Sequence, residues 1–449
     1  MHAQIGAACA DRTAISVGQH ALWVLHRLAP GSAAYNDAGA ARFTPGPDVP
    51  ALAESVALVT ERHDLLRSRF VDDDGLPVRI VDPTGPRLTV VDVGDVDERA
   101  LADLVAAAAG EPYDLAEDGT ARFRLLRRGD TDAVLVAGNH HIASDAASQF
   151  VLWRDLLTAY RALAGGTRPE LPALAWTWND QVALERRNLA GGQMTDWTSY
   201  WRTVGRDVPA GELPPDRPRP ARPGYRGGTV SAELPVSLVG QVQDLAMALG
   251  VTAFAVHLAT LQTLVHRTGG PREFLLGCPM SLRRSRSTMH AVGYYVNMVL
   301  LRADIDPAGS GSDVVRAAAR ELRAAAAAAA LPYPHIVRAL DRGRDAGPPY
   351  RIAMTQVDAR MTFPPAGSGC AVQPFEVPRL QGQYDLGVEV TRGVTASSVV
   401  FRYDREIYDE STIRRHLATY VKVLESMVFD PIAPVGRLDA VVGSPIAGI

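Results

Sequence analysis

Two spacings of apolar residues alternate along this chain. Apolar positions three and four apart predict helices, and short apolar runs bounded by turn residues predict strands. Ser16 is a fitting N-cap for a short helix through Ala21-Leu22-Trp23-Val24-Leu25, and Pro30-Gly31-Ser32 turns the chain ahead of Tyr35-Asn36. Leu52, Val56, Leu58 and Val59 share one side of a helix predicted from about Val49 to Glu61. Strands are predicted near Leu66, after the turn Asp73-Asp74-Gly75, and over Arg87 to Val91, followed by a short helix from Leu101 to Ala108. Ala121 to Arg127 and Thr131 to Gly138 read as a hairpin joined by Gly129-Asp130. Its apolar run, Ala133-Val134-Leu135-Val136-Ala137, ends in Gly138-Asn139-His140-His141. The period then changes: Phe150, Val151, Leu152, Leu156, Leu157, Tyr160 and Leu163 recur at helical spacing until Gly165-Gly166. A further helix runs to about Leu189.

The second half repeats the alternation. Asp196 to Val204 predicts a short helix, and Glu212 to Gly228, dense in Pro, Gly and Arg, an extended crossover. Helices follow near Val236 to Leu249 and from Thr252, as N-cap, to Arg267; then a strand from Glu273 to Cys278. Val292 to Leu300 reads as a loop entering a strand. Ser312 to Ala330 predicts a helix ending in seven alanines, which helix propensity alone explains. A strand from Tyr350 to Val357, an irregular stretch from Pro364 to Arg379, a hairpin of Tyr384 to Thr391 with Ser397 to Tyr403, and a helix from Ser411 to Phe429 close the chain. The mixture is α/β. No short-period repeat is present, and the lobe boundary falls near residue 180, giving lobes 1–178 and 179–449.

Length supports two lobes, because 449 residues exceed the usual single core. Hydrophobic residues at 47% and charged residues at 21% are ordinary for a soluble globular enzyme. A net charge of -4 leaves no polyanion footprint, so nucleic acid is not an expected partner. No apolar run reaches membrane-spanning length, and Met1 to Thr13 does not read as a signal peptide. Cys9, Cys278 and Cys370 are scattered and odd in number; they form neither a disulfide framework nor a metal cluster, and a reducing cytoplasm fits. A cytoplasmic monomer with no bound metal is expected.

The stretch His140-His141-Ile142-Ala143-Ser144-Asp145-Ala146 carries the chemistry. The histidines stand where a strand finishes and a helix begins, so a side chain there can project from a rigid sheet edge into a cleft. Taken alone, the residues also fit a plainer reading, with hydrogen-bonded structural histidines and Asp145 as a helix N-cap. Neighbours on a strand point to opposite faces, so at most one histidine faces a given cleft.

Other motifs decide between these readings. The stretch is similar to the signature His-His-x-x-x-Asp-Gly. Gln19 with Leu22-Trp23, Leu28-x-Pro30-Gly31-Ser32 and Tyr35-Asn36 precede it, as do Arg62-His63-Asp64-Leu65-Leu66-Arg67 to Phe70 and Tyr113-Asp114-Leu115. Tyr200-Trp201, Leu213-Pro214, Asp216-Arg217-Pro218-Arg219-Pro220, Gly277-x-Pro279 to Arg283, Val292-Gly293-Tyr294-Tyr295-Val296-Asn297 and Tyr384-Asp385-Leu386 follow. In this order they resemble the condensation domains of non-ribosomal peptide synthetases, within the chloramphenicol acetyltransferase-like superfamily, over essentially the whole chain.

The resemblance implies an α/β fold of two chloramphenicol acetyltransferase-like lobes, a V-shaped pseudo-dimer with a central tunnel, a floor loop at about 280–300 and a latch at about 358–390. It implies condensation of a carrier-bound acyl or peptidyl thioester with an amine acceptor, forming an amide. Donor and acceptor peptidyl carrier proteins are then the partners, with adjacent synthetase domains as further candidates. The chain itself binds no cofactor; phosphopantetheine arms arrive with the carriers. His141 is the expected base or positioner, grouped with His140, which braces the loop, and Asp145, which shapes the site through a buried ion pair with Arg283. The position of Arg283 relative to Pro279 favours it over Arg284 and Arg286. Ala146, Tyr294 and Asn297 are candidate tunnel-lining residues, and Ser148 supports the helix start.

Three departures stand out. Ala146 replaces the signature glycine, either losing a positive-φ position or narrowing acceptor access. Trp178-Asn179-Asp180 stands for Tyr-x-Asp, and Pro332-Tyr333-Pro334-His335 is a loose version of the sixth motif. Ester formation with a hydroxyl acceptor is an alternative, as is a non-catalytic recruitment module, although that branch typically loses the second histidine. Epimerisation lacks its extra motifs, and the heterocyclising branch has aspartates in place of both histidines. The chain, beginning at Met1 and ending past the final helix without adenylation or carrier segments, reads as a free-standing member or an excised domain.

Overall fold

Every residue of the strand Asp132–His140 is buried. Its sequence therefore runs apolar without alternating, as expected of a strand covered on both faces. It is the middle strand of a five-stranded sheet ordered Ala371–Phe375, Asn36–Thr44, Asp132–His140, Ala121–Arg128, Leu88–Asp92. Its two neighbours are antiparallel to it, whereas Leu88–Asp92 runs parallel to Ala121–Arg128. The helices Val49–Arg62 and Ala146–Ala164 cover one face, where Leu52, Val56, Leu135, Leu152 and Leu156 pack together. The helix Glu98–Gly110 covers the other, where Leu101 and Val105 meet Val134 and Val136. Each large apolar side chain so enclosed contributes roughly 1.5–3 kcal/mol.

The structure is a computed structural model that describes residues 11–220, 224, 226–343, 347–358, 370–377, 382–393 and 397–438. The chain divides into two compact units. The first comprises Met1–Ala190, Ser281–Val296 and Met361–Arg379; the second comprises Gly191–Met280, Asn297–Arg360 and Leu380–Ile449. The second unit has its own six-stranded mixed sheet, ordered Val296–Asp304, Glu273–Ser281, Ile352–Asp358, Leu386–Arg392, Ser397–Asp404, Gly227–Leu234. The helix Ala253–Arg267, N-capped by Thr252, is buried from Ala255 to Val265 in this unit. Among the described residues no single helix is long and apolar enough to cross a membrane.

The structure adds four strands to the sequence reading, one of them the short Asp11–Thr13, which pairs with Leu76–Val81. Asn36–Thr44, read only as a motif after a turn, pairs with the histidine strand along its length. Ala371–Phe375 lies inside the stretch expected to be irregular and pairs with Asn36–Thr44. Gly227–Leu234 follows the proline-rich crossover and pairs with Ser397–Asp404. The helix after the histidines also starts earlier than its apolar spacing indicates, at Ala146, because its first turn is small and polar. Within the expected latch, residues 359–369 and 378–381 lie outside the described residues, as does Cys9.

Candidate functional site

The histidine strand ends at His140, and the chain turns through His141, Ile142 and Ala143 into the helix Ala146–Ala164. Gln19 pins this turn: its Nε2 donates to the Ile142 carbonyl at 2.9 Å, and its Oε1 accepts from Trp178 Nε1 at 2.9 Å and from the Ser16 amide at 3.1 Å. Leu22, Ile142, Ala143, Trp178 and Tyr295 pack around the same turn. A buried amide side chain, satisfied at both ends, thus ties two helices to the loop that carries the histidines.

The two histidines have different environments. His140 is 3% exposed, its Nδ1 accepts from the Ile142 amide at 3.1 Å, and the rings of His26 and Tyr113 stand edge-on to it. Burial, with smaller contributions from His26 and His141, pushes its pKa down to about 3 against the opposing pull of Asp37. It is a neutral brace. The His141 side chain keeps 19% exposure. Its backbone amide donates to the Tyr35 carbonyl at 2.8 Å, and its Nδ1 lies 2.8 Å from Asp37 Oδ2. The Tyr35 ring lies nearly parallel to the imidazole, and the Tyr294 ring stands edge-on with centroids 5.1 Å apart. Burial raises the Tyr294 phenol well above the ordinary tyrosine range, so it stays protonated.

Behind this pair, Asp145 caps the helix, with Oδ1 accepting from the Ser148 amide at 2.7 Å. The same oxygen takes Arg283 Nη2 at 3.1 Å, and Oδ2 takes the Tyr295 amide at 3.1 Å. The Arg283 and Asp145 side chains are 3% and 6% exposed. Arg283 also donates to the carbonyls of Thr288 and Ala291 and to Ser148 Oγ, and its guanidinium lies 4.2 Å from the Tyr295 ring centre. Ser148 Oγ accepts from the Gly293 amide at 3.0 Å. One carboxylate, one guanidinium and one hydroxyl therefore fasten the segment 283–295 to the helix start. Neither Arg284 nor Arg286 occupies this place.

Ala146 is the first residue of the helix and is exposed. Among the described residues the non-glycine positions with positive φ are Asp74, Asp207 and Asp341, so Ala146 is not one of them. The backbone here therefore does not need glycine. Ala146→Gly is expected to keep the fold, changing stability by no more than about 1 kcal/mol, and to raise turnover selectively with bulky acceptors. Melting curves and turnover across an acceptor size series check this; equal gains for every acceptor would mark the methyl as a defect of the site itself.

Asn297 belongs to the second unit. Its Nδ2 donates to the carbonyls of Ala329 at 2.9 Å and Leu331 at 2.7 Å, and its Oδ1 accepts from the Tyr333 amide at 2.9 Å. The amide thus holds the turn that opens the loose sixth motif. Asp37 is the site residue that sequence reasoning missed. It pairs in register with Asn139, so the two share a sheet face, and His141 lies two residues further along. Knowledge of that register would have found it; apolar spacing does not.

A partly exposed imidazole with a carboxylate beside its Nδ1 thus stands at the end of the central strand, next to a segment fastened by a buried ion pair. The family comparison is specific. The condensation domain profile matches residues 10–443. The chain belongs to the condensation domain family. It is 29% identical over 440 residues to a linear gramicidin synthase of Brevibacillus parabrevis, covering 95% of this chain and 6% of that protein. It is 30% identical over 441 residues to a phosphinothricin tripeptide synthetase of Streptomyces viridochromogenes, covering 94% of this chain and 36% of that protein. The chain thus spans a small part of the length of the curated relatives it matches. In fold it matches the X-domain from teicoplanin biosynthesis, with a TM-score of 0.86 at 24% identity over 97% of this chain and 99% of that one. The first condensation domain of the CDA synthetase matches with a TM-score of 0.80 at 21% identity over 95% and 98%.

Proposed function

We propose that this chain joins an acyl or peptidyl thioester on a donor carrier protein to the amine of an aminoacyl group on an acceptor carrier protein. The observation that carries the reading is the His141 imidazole, partly exposed at the end of the central strand with a carboxylate on its Nδ1 side. Attack by the amine nitrogen on the thioester carbonyl forms the C–N bond and breaks the C–S bond. The proton shed by the nitrogen passes to His141 Nε2 and on to the departing thiolate. A thioester is already activated, so no acyl-enzyme is required. Holding amine and carbonyl within about 3–3.5 Å supplies much of the acceleration. His140, held neutral, and the Asp145–Arg283 pair fix the geometry without touching substrate. Phosphopantetheine comes with the carriers, and a cytoplasmic setting accords with free thiols at Cys278 and Cys370.

The test mixes the chain with an acyl-loaded donor carrier and an aminoacyl-loaded acceptor carrier and follows both by intact mass spectrometry. The acceptor is expected to gain the acyl mass as the donor loses it. Transfer no faster than between the two carriers alone rejects the reading.

A further inference from the structure

Asp37 takes no direct part in bond formation, yet its position singles it out. It lies on Asn36–Thr44, the strand hydrogen-bonded to the histidine strand, directly across from Asn139. Both residues lie on rigid backbone rather than a loop. The carboxylate is 14% exposed and its Oδ2 is 2.8 Å from His141 Nδ1. The Asp37 carbonyl and the Asn139 side-chain oxygen both accept from Gln149 Nε2, at 3.4 and 2.9 Å, which ties this part of the strand pair to the helix Ala146–Ala164. The imidazole plane is set by Tyr35 on one side and by the edge-on Tyr294 ring.

We infer that Asp37 is a positioning residue for His141, selecting the tautomer with the proton on Nδ1 and so presenting the Nε2 lone pair as the base. A carboxylate can only accept from a neutral ring, so a 2.8 Å contact requires hydrogen on Nδ1. With the proton there, Nε2 is the acceptor nitrogen, and a nearby negative charge strengthens it by stabilising the imidazolium that forms. The inference rests on the condensation reading for its consequence in turnover, but the tautomer is a property of the protein alone.

The charged and titratable groups facing the His141 ring among the described residues include Asp37 and Tyr35, within and just ahead of the strand Asn36–Thr44, Tyr294 from the segment 291–295, and the adjoining His140. His140 stays neutral and the Tyr294 phenol stays protonated through neutral pH, so Asp37 supplies the negative charge on the Nδ1 side. Without that charge the imidazolium loses its proton more readily. The acidic limb of the kcat/KM profile therefore moves to lower pH in Asp37→Asn, while the plateau falls because the base is weaker and its tautomer mixed.

The experiment has two arms. Nitrogen-15 histidine labelling of the full chain, with the His141 signals assigned by their loss in His141→Ala, reads the tautomer directly. The Nδ1–H form is expected in the wild type and a mixture in Asp37→Asn; an Nε2–H ring in the wild type overturns the inference, whatever the turnover assay gives. In the carrier assay, Asp37→Asn and Asp37→Ala are expected to lower kcat about ten- to a hundredfold, part of the 10²–10⁴ that a positioned base contributes, with KM nearly unchanged. A raised KM with unchanged kcat and an unmoved acidic limb overturns it too. Wild-type inactivity with an Nδ1–H ring would instead reject the condensation reading and leave the positioning intact.

Discussion

His141→Ala is expected to lower kcat by about 10²–10⁴, the range for removing a positioned general base, equivalent to roughly 3–5 kcal/mol of barrier. The fold should survive. The His141 side chain is partly exposed, and its strand is held by the buried run before it rather than by the ring. The backbone bond from His141 to Tyr35 does not involve the side chain and is retained. Asp37, left facing a smaller residue, is exposed enough for water to reach it. KM for both loaded carriers should change little, because the proposed role of the ring lies at the reacting atoms and not at the carrier surface. Two readouts separate a base from a mere positioner. The acidic limb of kcat/KM should vanish in the variant, and added imidazole should restore part of the turnover. A variant within about fivefold of the wild type, with an unaltered melting curve, would remove His141 from the chemistry.

The strand-to-helix junction was legible because two independent patterns meet there. Ala133 to Ala137 runs apolar, since helices cover both faces, and from Phe150 onward the spacing becomes helical. Asp145 as N-cap follows from the same change of period. Arg283 came from the ordered motifs, because nothing in local spacing separates it from Arg284 and Arg286. Asp37 was illegible for a physical reason. Its strand reads Asn-Asp-Ala-Gly-Ala-Ala-Arg-Phe-Thr, poor in β-branched residues and without alternation. The small residues answer to packing instead. A β-carbon at Gly39 would stand 2.5 Å from Trp153 Nε1, so the strand is thin where the tryptophan crosses it. Such a strand is specified by its neighbours, and a pattern read one segment at a time passes over it. Gly227–Leu234 is similar. A β-carbon at Gly228 would meet the Tyr403 ring at 2.4 Å, a constraint imposed by a partner strand far along the chain. Local preference and global packing part company in both strands, and packing wins.

Arg283→Leu is expected to cost about 3–5 kcal/mol of stability, as for any buried ion pair broken on one side. The size follows from what remains. Asp145 keeps the amides of Ser148 and Tyr295 but loses the guanidinium that balances its charge, and its side chain is 6% exposed. The substitution also leaves two carbonyls, Thr288 and Ala291, and the Ser148 hydroxyl without this donor, and it vacates the face of Tyr295. Lysine should not substitute well, because one ammonium cannot reach carboxylate, hydroxyl and two carbonyls in the planar arrangement that Arg283 spans. Chemical denaturation of the single variants and of the double variant Arg283→Leu with Asp145→Asn separates charge from packing. If the stranded charge dominates, the double variant should recover a large part of the loss, whereas additive losses would place the cost in the carbonyls and the aromatic contact. A loss under about 1 kcal/mol in Arg283→Leu, the scale of a solvent-exposed pair, would mean that water reaches Asp145 and that the pair does not brace the site. Turnover should fall along with stability, since Arg283 is one of the three groups, with Asp145 and Ser148, that fasten the segment 291–295, which carries Tyr294 against the His141 ring.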